Sequence, residues 1–317
     1  MTAARLAAAC VLVTGMAAAA QNGPRVVQGR VVRPGANGAR PVAGAWVVLH
    51  RVGSDTSGPL DSTRTRADGA YTIRYRAFGP ADAIYFVATK HDGIAYLSSA
   101  LKGARVSGAD AELTVFDTTS HGVVLHVRGR HVIVFTPRAD GSHEIFEVYE
   151  LANDAAFTLV AGGAAAPAWT APLPGAATDF RPEQGDVSAG AMVASKGRVE
   201  VFAPFAPGLK QITFSYRLPA SAFPLTLPPA PDTAVLEVLL EEPGSIASGA
   251  GLRAIGPQTV DRRQFSRFLS PNAPPAAAVT ITAGAPPRSR VRYAVFGLVI
   301  AVAGAMLIAL FLGLRRG

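Results

Sequence analysis

The sequence predicts an all-β ectodomain of tandem β-sandwiches followed by one C-terminal transmembrane helix, and three observations carry that reading. Short runs rich in Val, Ile, Phe and Tyr recur at intervals of about 8 to 15 residues between Gly, Pro and Asp clusters, as in sandwiches of short strands. The 317 residues include 32 Gly and 24 Pro, which disfavour helix interiors and supply turns, and no long ectodomain stretch sustains a helical period. Residues 293–314 hold no charge and no Pro over 22 positions, enough at about 1.5 Å per residue to cross a hydrocarbon core of roughly 30 Å.

The elements follow in chain order. Residues 1–20 read as a signal peptide: Arg5 precedes an apolar run over 6–16, and Ala18 and Ala20 form an A-x-A cleavage site that leaves Gln21 as the mature start. Cys10, the only cysteine, lies in that run, so the mature chain has neither a disulfide nor a thiolate ligand; an alternative reading anchors the chain by a lipid at Cys10. Residues 21–112 form the first sandwich, with strands expected at 26–32, 45–51, 70–75 and 83–89. A further strand at 112–116 leads into a second β-sandwich region over 113–245, with strands expected at 122–127, 131–136, 144–151, 157–161, 198–202, 210–218 and 234–241. Residues 246–292, rich in Pro, Ala and Arg, read as an extended stalk.

Residues 293–314 are the transmembrane helix and 315–317 the cytoplasmic tail. A cleaved signal makes the helix a stop-transfer element, which places the protein in the bacterial cytoplasmic membrane as a single-pass chain with its N-terminal domain extracytoplasmic. Arg288, Arg290 and Arg292 on the outer flank outnumber Arg315 and Arg316, against the positive-inside rule, and the signal peptide is expected to decide the orientation. A hydrophobic tail with a short basic end also reads as a sorting signal removed on surface attachment. Gly297, Ala301, Ala305, Ala309 and Gly313 recur every fourth residue, a stripe through which two helices can approach and the chain can form a homo-oligomer.

The most specific pattern lies in the first unit: VQGRVV at 27–32, PVAGAWVVLHR at 41–51 and TRTRADGAYTIRY at 63–75. Gly44 and Ala45 admit a tight approach to the strand that follows. Asp68 with Gly69 supplies a turn in which Gly takes the positive φ that other residues resist. Tyr71 and Ile73 then share one strand face, and Thr72 and Arg74 the other. This pattern resembles the carboxypeptidase regulatory-like domain, a small transthyretin-like β-sandwich with the motifs G-x-V, P-x-x-G-A-x-V-x-L and T-x-x-D-G-x-Y-x-I. The resemblance covers about 50 residues closely. It implies a β-sandwich appended to an envelope protein and says nothing of an activity.

Catalytic motifs are missing. The residues three beyond His91 and His143 are Ile94 and Phe146, so the H-x-x-E zinc pair of a metallocarboxypeptidase is absent, and no H-E-x-x-H, G-x-S-x-G, phosphate-cradling loop or Rossmann fingerprint occurs. The expectation is a protein that is not an enzyme and needs no cofactor. VVLH at 47–50 recurs at 123–126 and RADG at 66–69 recurs at 138–141, either a second sandwich of related plan or a coincidence of composition. If Arg128 and Gly129 form a two-residue hairpin turn, His126 falls opposite His131 and the two can share a metal, with His121 or His143 as a third ligand; a three-residue loop instead turns them to opposite faces. Glu144, Glu147 and Glu150 read as a solvated strand face rather than as paired catalytic carboxylates, since 144 and 147 differ in parity.

The formal net charge of +8 is unevenly spread. Residues 25–76 hold nine Arg against three Asp, residues 77–252 hold 11 Lys and Arg against 18 Asp and Glu, and residues 253–292 hold seven Arg against Asp261 alone. Arg64, Arg66, Arg74 and Arg76 are candidates for a basic face on the first sandwich. Secretion excludes nucleic acid as the partner and points to an anionic envelope polymer or another envelope protein. The reading is thus a noncatalytic, membrane-anchored extracytoplasmic β-sandwich protein for carbohydrate or protein binding, or for envelope assembly. Its alternatives are an accessory or sensor subunit of a membrane enzyme or transporter, and an enzyme with an unrecognised site in residues 115–245.

Overall fold

Residues 23–227, 233–260, 262–274 and 278–284 are described by a computed structural model. Among them the chain is all β-structure, with three short 3-10 turns and no α-helix, and it divides between Thr118 and Thr119 into two units. No helix among the described residues is long and apolar enough to cross a membrane. The signal peptide, the helix at 293–314 with its stripe from Gly297 to Gly313, and the tail lie outside the described residues.

In the first unit the strands are β1 (Pro24–Arg33), β2 (Arg40–Pro41), β3 (Trp46–Val52), β4 (Ser57–Arg64), β5 (Ala70–Arg76), β6 (Ile84–His91), β7 (Ile94–Leu97), β8 (Arg105–Ser107) and β9 (Leu113–Thr114). One sheet is built on β1, which β2 and β5 join antiparallel and β8 and β9 parallel. The other runs β4-β3-β6-β7, antiparallel throughout. Strand alternation sends Val27, Val31, Tyr71 and Ile73 from the first sheet, and Val47, Leu49, Tyr85 and Val87 from the second, into the core. Tyr75 and Tyr85 bring the two sheets together with ring centroids 5.3 Å apart. The first unit extends past the boundary expected at 112, because β9 completes the β1 sheet.

Arg51 on β3 is buried and fastens two loops. Its Nη1 donates to the Thr56 carbonyl at 2.7 Å, its Nε to the Phe78 carbonyl at 3.2 Å, and its Nη2 pairs with Asp55 at 2.7 Å while the guanidinium covers the Phe78 ring. Each loop carbonyl thereby gains the partner that a backbone group removed from water requires.

The chain continues through β10 (Thr118–Thr119), β11 (Leu125–Val134), β12 (His143–Asn153), β13 (Thr158–Leu159), β14 (Trp169–Pro172), β15 (Thr178–Pro182), β16 (Met192–Ser195) and β17 (Arg198–Val201). Then follow β18 (Gly208–Leu218), β19 (Leu225–Leu227), β20 (Thr233–Leu240), β21 (Ile246–Gly249), β22 (Arg253–Val260), β23 (Arg263–Pro271) and β24 (Val279–Thr282). The main sheet of the second unit has seven strands in the order β15-β18-β12-β11-β20-β23-β22, and only β11 and β20 pair in parallel. Two three-stranded sheets, β14-β17-β16 and β19-β24-β21, cover one of its faces. Val199, Val201, Leu227 and Ile281 from these sheets share a core with Val132, Tyr149, Phe214 and Val238 of the main sheet. The opposite face buries a smaller cluster of Ile133, Phe135, Phe146, Val148, Leu239, Val260 and Phe265.

Two expectations are corrected here. The stalk expected over 246–292 is folded from Ile246 to Thr282 as far as it is described, because Phe265 and Phe268, then Val279 and Ile281, bury their side chains in the second unit. The hairpin expected at Arg128 and Gly129 does not form: β11 runs through both residues, and its register against β12 shifts between Val127 and Gly129, a β-bulge. The RADG echo is local. Gly69 and Gly141 both take positive φ, at 76° and 79°, and their amides close the same turn onto Arg66 and Arg138. The first turn nevertheless joins strands of different sheets, and the second joins the adjacent strands β11 and β12, so the two units differ in plan.

A polar lattice ties the larger core together. Arg130 on β11 pairs with Glu147 on β12 at 2.9 Å, and the Tyr149 and Tyr216 hydroxyls donate to the same carboxylate at 3.0 and 2.7 Å, with all four side chains buried. Removing one member of a buried ion pair strands the other charge. Glu147→Ala is therefore expected to destabilise the second unit by about 3–5 kcal/mol in urea unfolding, with Arg130→Met in the same chain restoring a large part of it. A single variant that unfolds at the wild-type midpoint would contradict this role.

Candidate functional site

Alternation along β3 and β6 turns one row of side chains away from the core of the first unit. On β3 these are Trp46, Val48, His50 and Val52; on β6 they are Ile84, Phe86, Ala88 and Lys90, which the antiparallel register sets beside them. Leu97 on β7 pairs with Ala88 and extends the row. This outer face is apolar yet open: Trp46 is 53% exposed, Ile84 50% and Leu97 59%. The rings of His50 and Phe86 stack nearly parallel with centroids 5.2 Å apart, and the Arg64 guanidinium of the paired strand β4 lies 4.5 Å over the Trp46 ring. The result is a strip of planar rings capped at one end by a cation.

The four arginines expected to form one basic face are divided. Arg64 belongs to the β4-β3-β6-β7 sheet, whereas Arg74 and Arg76 lie on β5 in the sheet built on β1. Arg66 sits in the turn between them, with Asp68 3.8 Å away. All four are exposed. Alternate residues share a face only within one strand, and the turn at 66–69 breaks that continuity.

The histidines do not converge as expected. His126 and His131 lie on one continuous strand, His126 exposed near Asp154 and His131 buried. His121 is exposed, and His143 packs against Phe223 with the two rings tilted while its Nδ1 donates to the Phe135 carbonyl at 3.0 Å. Among the described residues, His91, Asp92 and Asp117 of the first unit bring ligand atoms within 4.8 Å of one another. Both aspartates are exposed, and Arg33 already lies 3.4 Å from the Asp117 carboxylate. The hydrogen bond from His91, 3.0 Å away, holds the Asp117 carboxyl below its ordinary range, so this group is a surface ion-pair network.

A second constellation escaped the sequence reading. Glu147 and Glu150, expected on a solvated face, are both buried, because β12 lies inside the seven-stranded sheet between β11 and β18 and buries side chains on both of its faces. The signal was present: Ile145, Tyr149 and Leu151 occupy one parity of β12 and Phe146 and Val148 the other, a run apolar on both faces. Glu147 faces Arg130. Glu150 faces the other way, opposite Gly129.

On that side a polar chain crosses four neighbouring strands. His131 Nδ1 lies 2.7 Å from Glu237 Oε2 on β20, and Arg267 on β23 donates to the second oxygen of Glu237. Burial pushes the Glu237 carboxyl up and is outweighed by His131 and Arg267, which leave it below the ordinary range. Burial raises Glu150, with the charge of Glu237 adding to the rise and His131 opposing it. His131 Nε2 is buried without a hydrogen-bond partner.

A raised carboxyl pKa means that the folded state binds the proton more tightly than the unfolded state, so stability falls as pH rises from the unfolded value to the folded one. Glu150→Gln should accordingly raise the melting temperature of the metal-free protein at pH 7 and leave it unchanged near about pH 3.5, where both states carry the proton. Equal gains at the two pH values would contradict the assignment.

No family model matches the chain, and no curated protein matches it. Among solved structures, two of native leukotriene A4 hydrolase from yeast, Saccharomyces cerevisiae, align at 9% and 8% identity with a TM-score of 0.30. These alignments cover 51% and 54% of this chain and 30% and 31% of the hydrolase, so the chain spans about a third of that protein's length. The full-length pilus protein RrgB from Streptococcus pneumoniae aligns over 87% of this chain and 65% of its own at 9% identity, with a TM-score of 0.18. Likenesses of this size decide neither fold nor activity.

Proposed function

We propose that the protein is a noncatalytic, membrane-anchored extracytoplasmic β-protein that binds an anionic envelope polysaccharide on the outer face of the β4-β3-β6-β7 sheet. The observation that carries this is Trp46, half exposed on an apolar strip and covered by the Arg64 guanidinium at 4.5 Å. A sugar ring presents a flat C–H face that leaves water favourably against an aromatic ring, and a carboxylate or phosphate on the sugar adds a charge-assisted contact to Arg64. Residues 23–118 support the same partner, with 12 Lys and Arg against eight Asp and Glu. The anchor and the extracytoplasmic address rest on the hydrophobic segments at the two ends of the sequence.

The finer architecture belongs to this reading. The first unit is read as a carboxypeptidase regulatory-like, transthyretin-like module followed by a second β-sandwich. The turn at Asp68 and Gly69, the positive φ of Gly44 and the burial of Tyr71 and Ile73 at the motif positions support it.

Titration of the full-length protein with hyaluronan, against neutral dextran of similar length, tests the proposal. Hyaluronan binding that weakens with salt is expected, reduced about tenfold or more by Trp46→Ala and made less salt-dependent by Arg64→Ala. Both side chains are exposed, so the melting temperature should stay near that of the wild type. Binding unaffected by either variant, or dextran binding of equal strength, would sink the proposal.

A further inference from the structure

Glu150 and His131 pose a problem that the second unit does not solve by itself. Glu150 is only 8% exposed and no hydrogen bond or ion pair joins it to another described residue, while the Nε2 of His131, a residue 1% exposed, is fully buried without a hydrogen-bond partner. A buried polar atom in the state of His131 Nε2 is rare and costly. The two groups also converge. A Cβ placed on Gly129 would lie 2.9 Å from Glu150 Oε2 and 3.0 Å from His131 Nε2, so both atoms border the same space beside Gly129, which no side chain fills.

We propose that this point beside Gly129 is a binding site for a divalent transition-metal ion, with His131 Nε2 and Glu150 Oε2 as its protein ligands and Glu237 as the carboxylate that fixes the His131 ring. Glu237 Oε2 lies 2.7 Å from Nδ1, where it accepts that N–H and leaves Nε2 bare as a donor to metal. Arg267 in turn holds Glu237, so the support spans β20 and β23 while the ligands come from β11 and β12. The cation supplies Glu150 with a counter-charge at a position where the side chain is largely removed from water. One imidazole and one carboxylate suit Zn²⁺ and its first-row neighbours at about 2.0–2.2 Å, with solvent completing the coordination. Mg²⁺ and Ca²⁺ prefer all-oxygen sites and serve as controls. His126 takes no part, since its ring is exposed beside Asp154.

The test uses the full-length protein with the metal alone as probe, and it is independent of polysaccharide binding. Zn²⁺ should bind one to one, reversibly to EDTA, and raise the melting temperature by roughly 5 °C or more at a hundredfold excess over Kd, whereas Mg²⁺ should not. Gly129→Ala keeps both ligands but fills the gap between them, and it should abolish the shift, as should Glu150→Gln. Glu237→Gln should weaken Zn²⁺ binding about 10- to 100-fold. His91→Ala, which removes the surface cluster of the first unit, should bind as wild type. If Gly129→Ala fails to fold, Glu150→Gln decides, since it keeps the size and shape of the side chain and removes only the charge. Absence of a Zn²⁺ shift, a shift retained in Glu150→Gln, or one lost in His91→Ala would overturn the proposal.

Discussion

The second unit depends on one extra residue in a central strand. Ahead of Arg128, Leu125 and Val127 turn toward the larger core; past it, Arg130, Val132 and Val134 do. A regular strand would hold one parity throughout. The bulge changes it, and so Arg130 meets Glu147 on one face while Gly129 and His131 meet Glu150 and Glu237 on the other.

The two carboxylates of β12 show what this achieves. Glu147 receives a guanidinium and two phenols and becomes part of a rigid core. Glu150, three residues later on the opposite face, receives no partner and lies against a glycine. The Nε2 of His131 beside it is buried without a partner, and natural interiors seldom leave a polar atom in that condition without a use for it. The first unit works differently. Its polar linchpin, Arg51, spends all its hydrogen bonds on loop carbonyls and Asp55, and what remains open is an outer sheet face of rings and aliphatic side chains.

Much of the fold was legible in the sequence. The alternation of Val, Ile and Tyr placed β1, β3, β5, β6, β12, β18 and β20 within a few residues, because each strand buries at least one face. The strands from β21 to β24 were hidden by the Pro and Ala around them, although Val279 and Ile281 carry the period of a strand. Arg128 and Gly129 misled in another way: the small residue that suits a tight turn also suits a bulge, and only the pairing partners decide which forms. Nor could the sequence show that Glu150 and Glu237, 87 positions apart in the chain, flank one histidine.

The central claim is the division of faces across β11. Its most direct measurement is the pattern of nuclear Overhauser contacts in a protein labelled selectively at His, Arg, Tyr and Glu. The account predicts contacts from the His131 ring to Glu237 and Glu150 side-chain protons, and from Arg130 side-chain protons to the rings of Tyr149 and Tyr216. The reverse pattern, with His131 among the tyrosines and Arg130 beside Glu150, would contradict it.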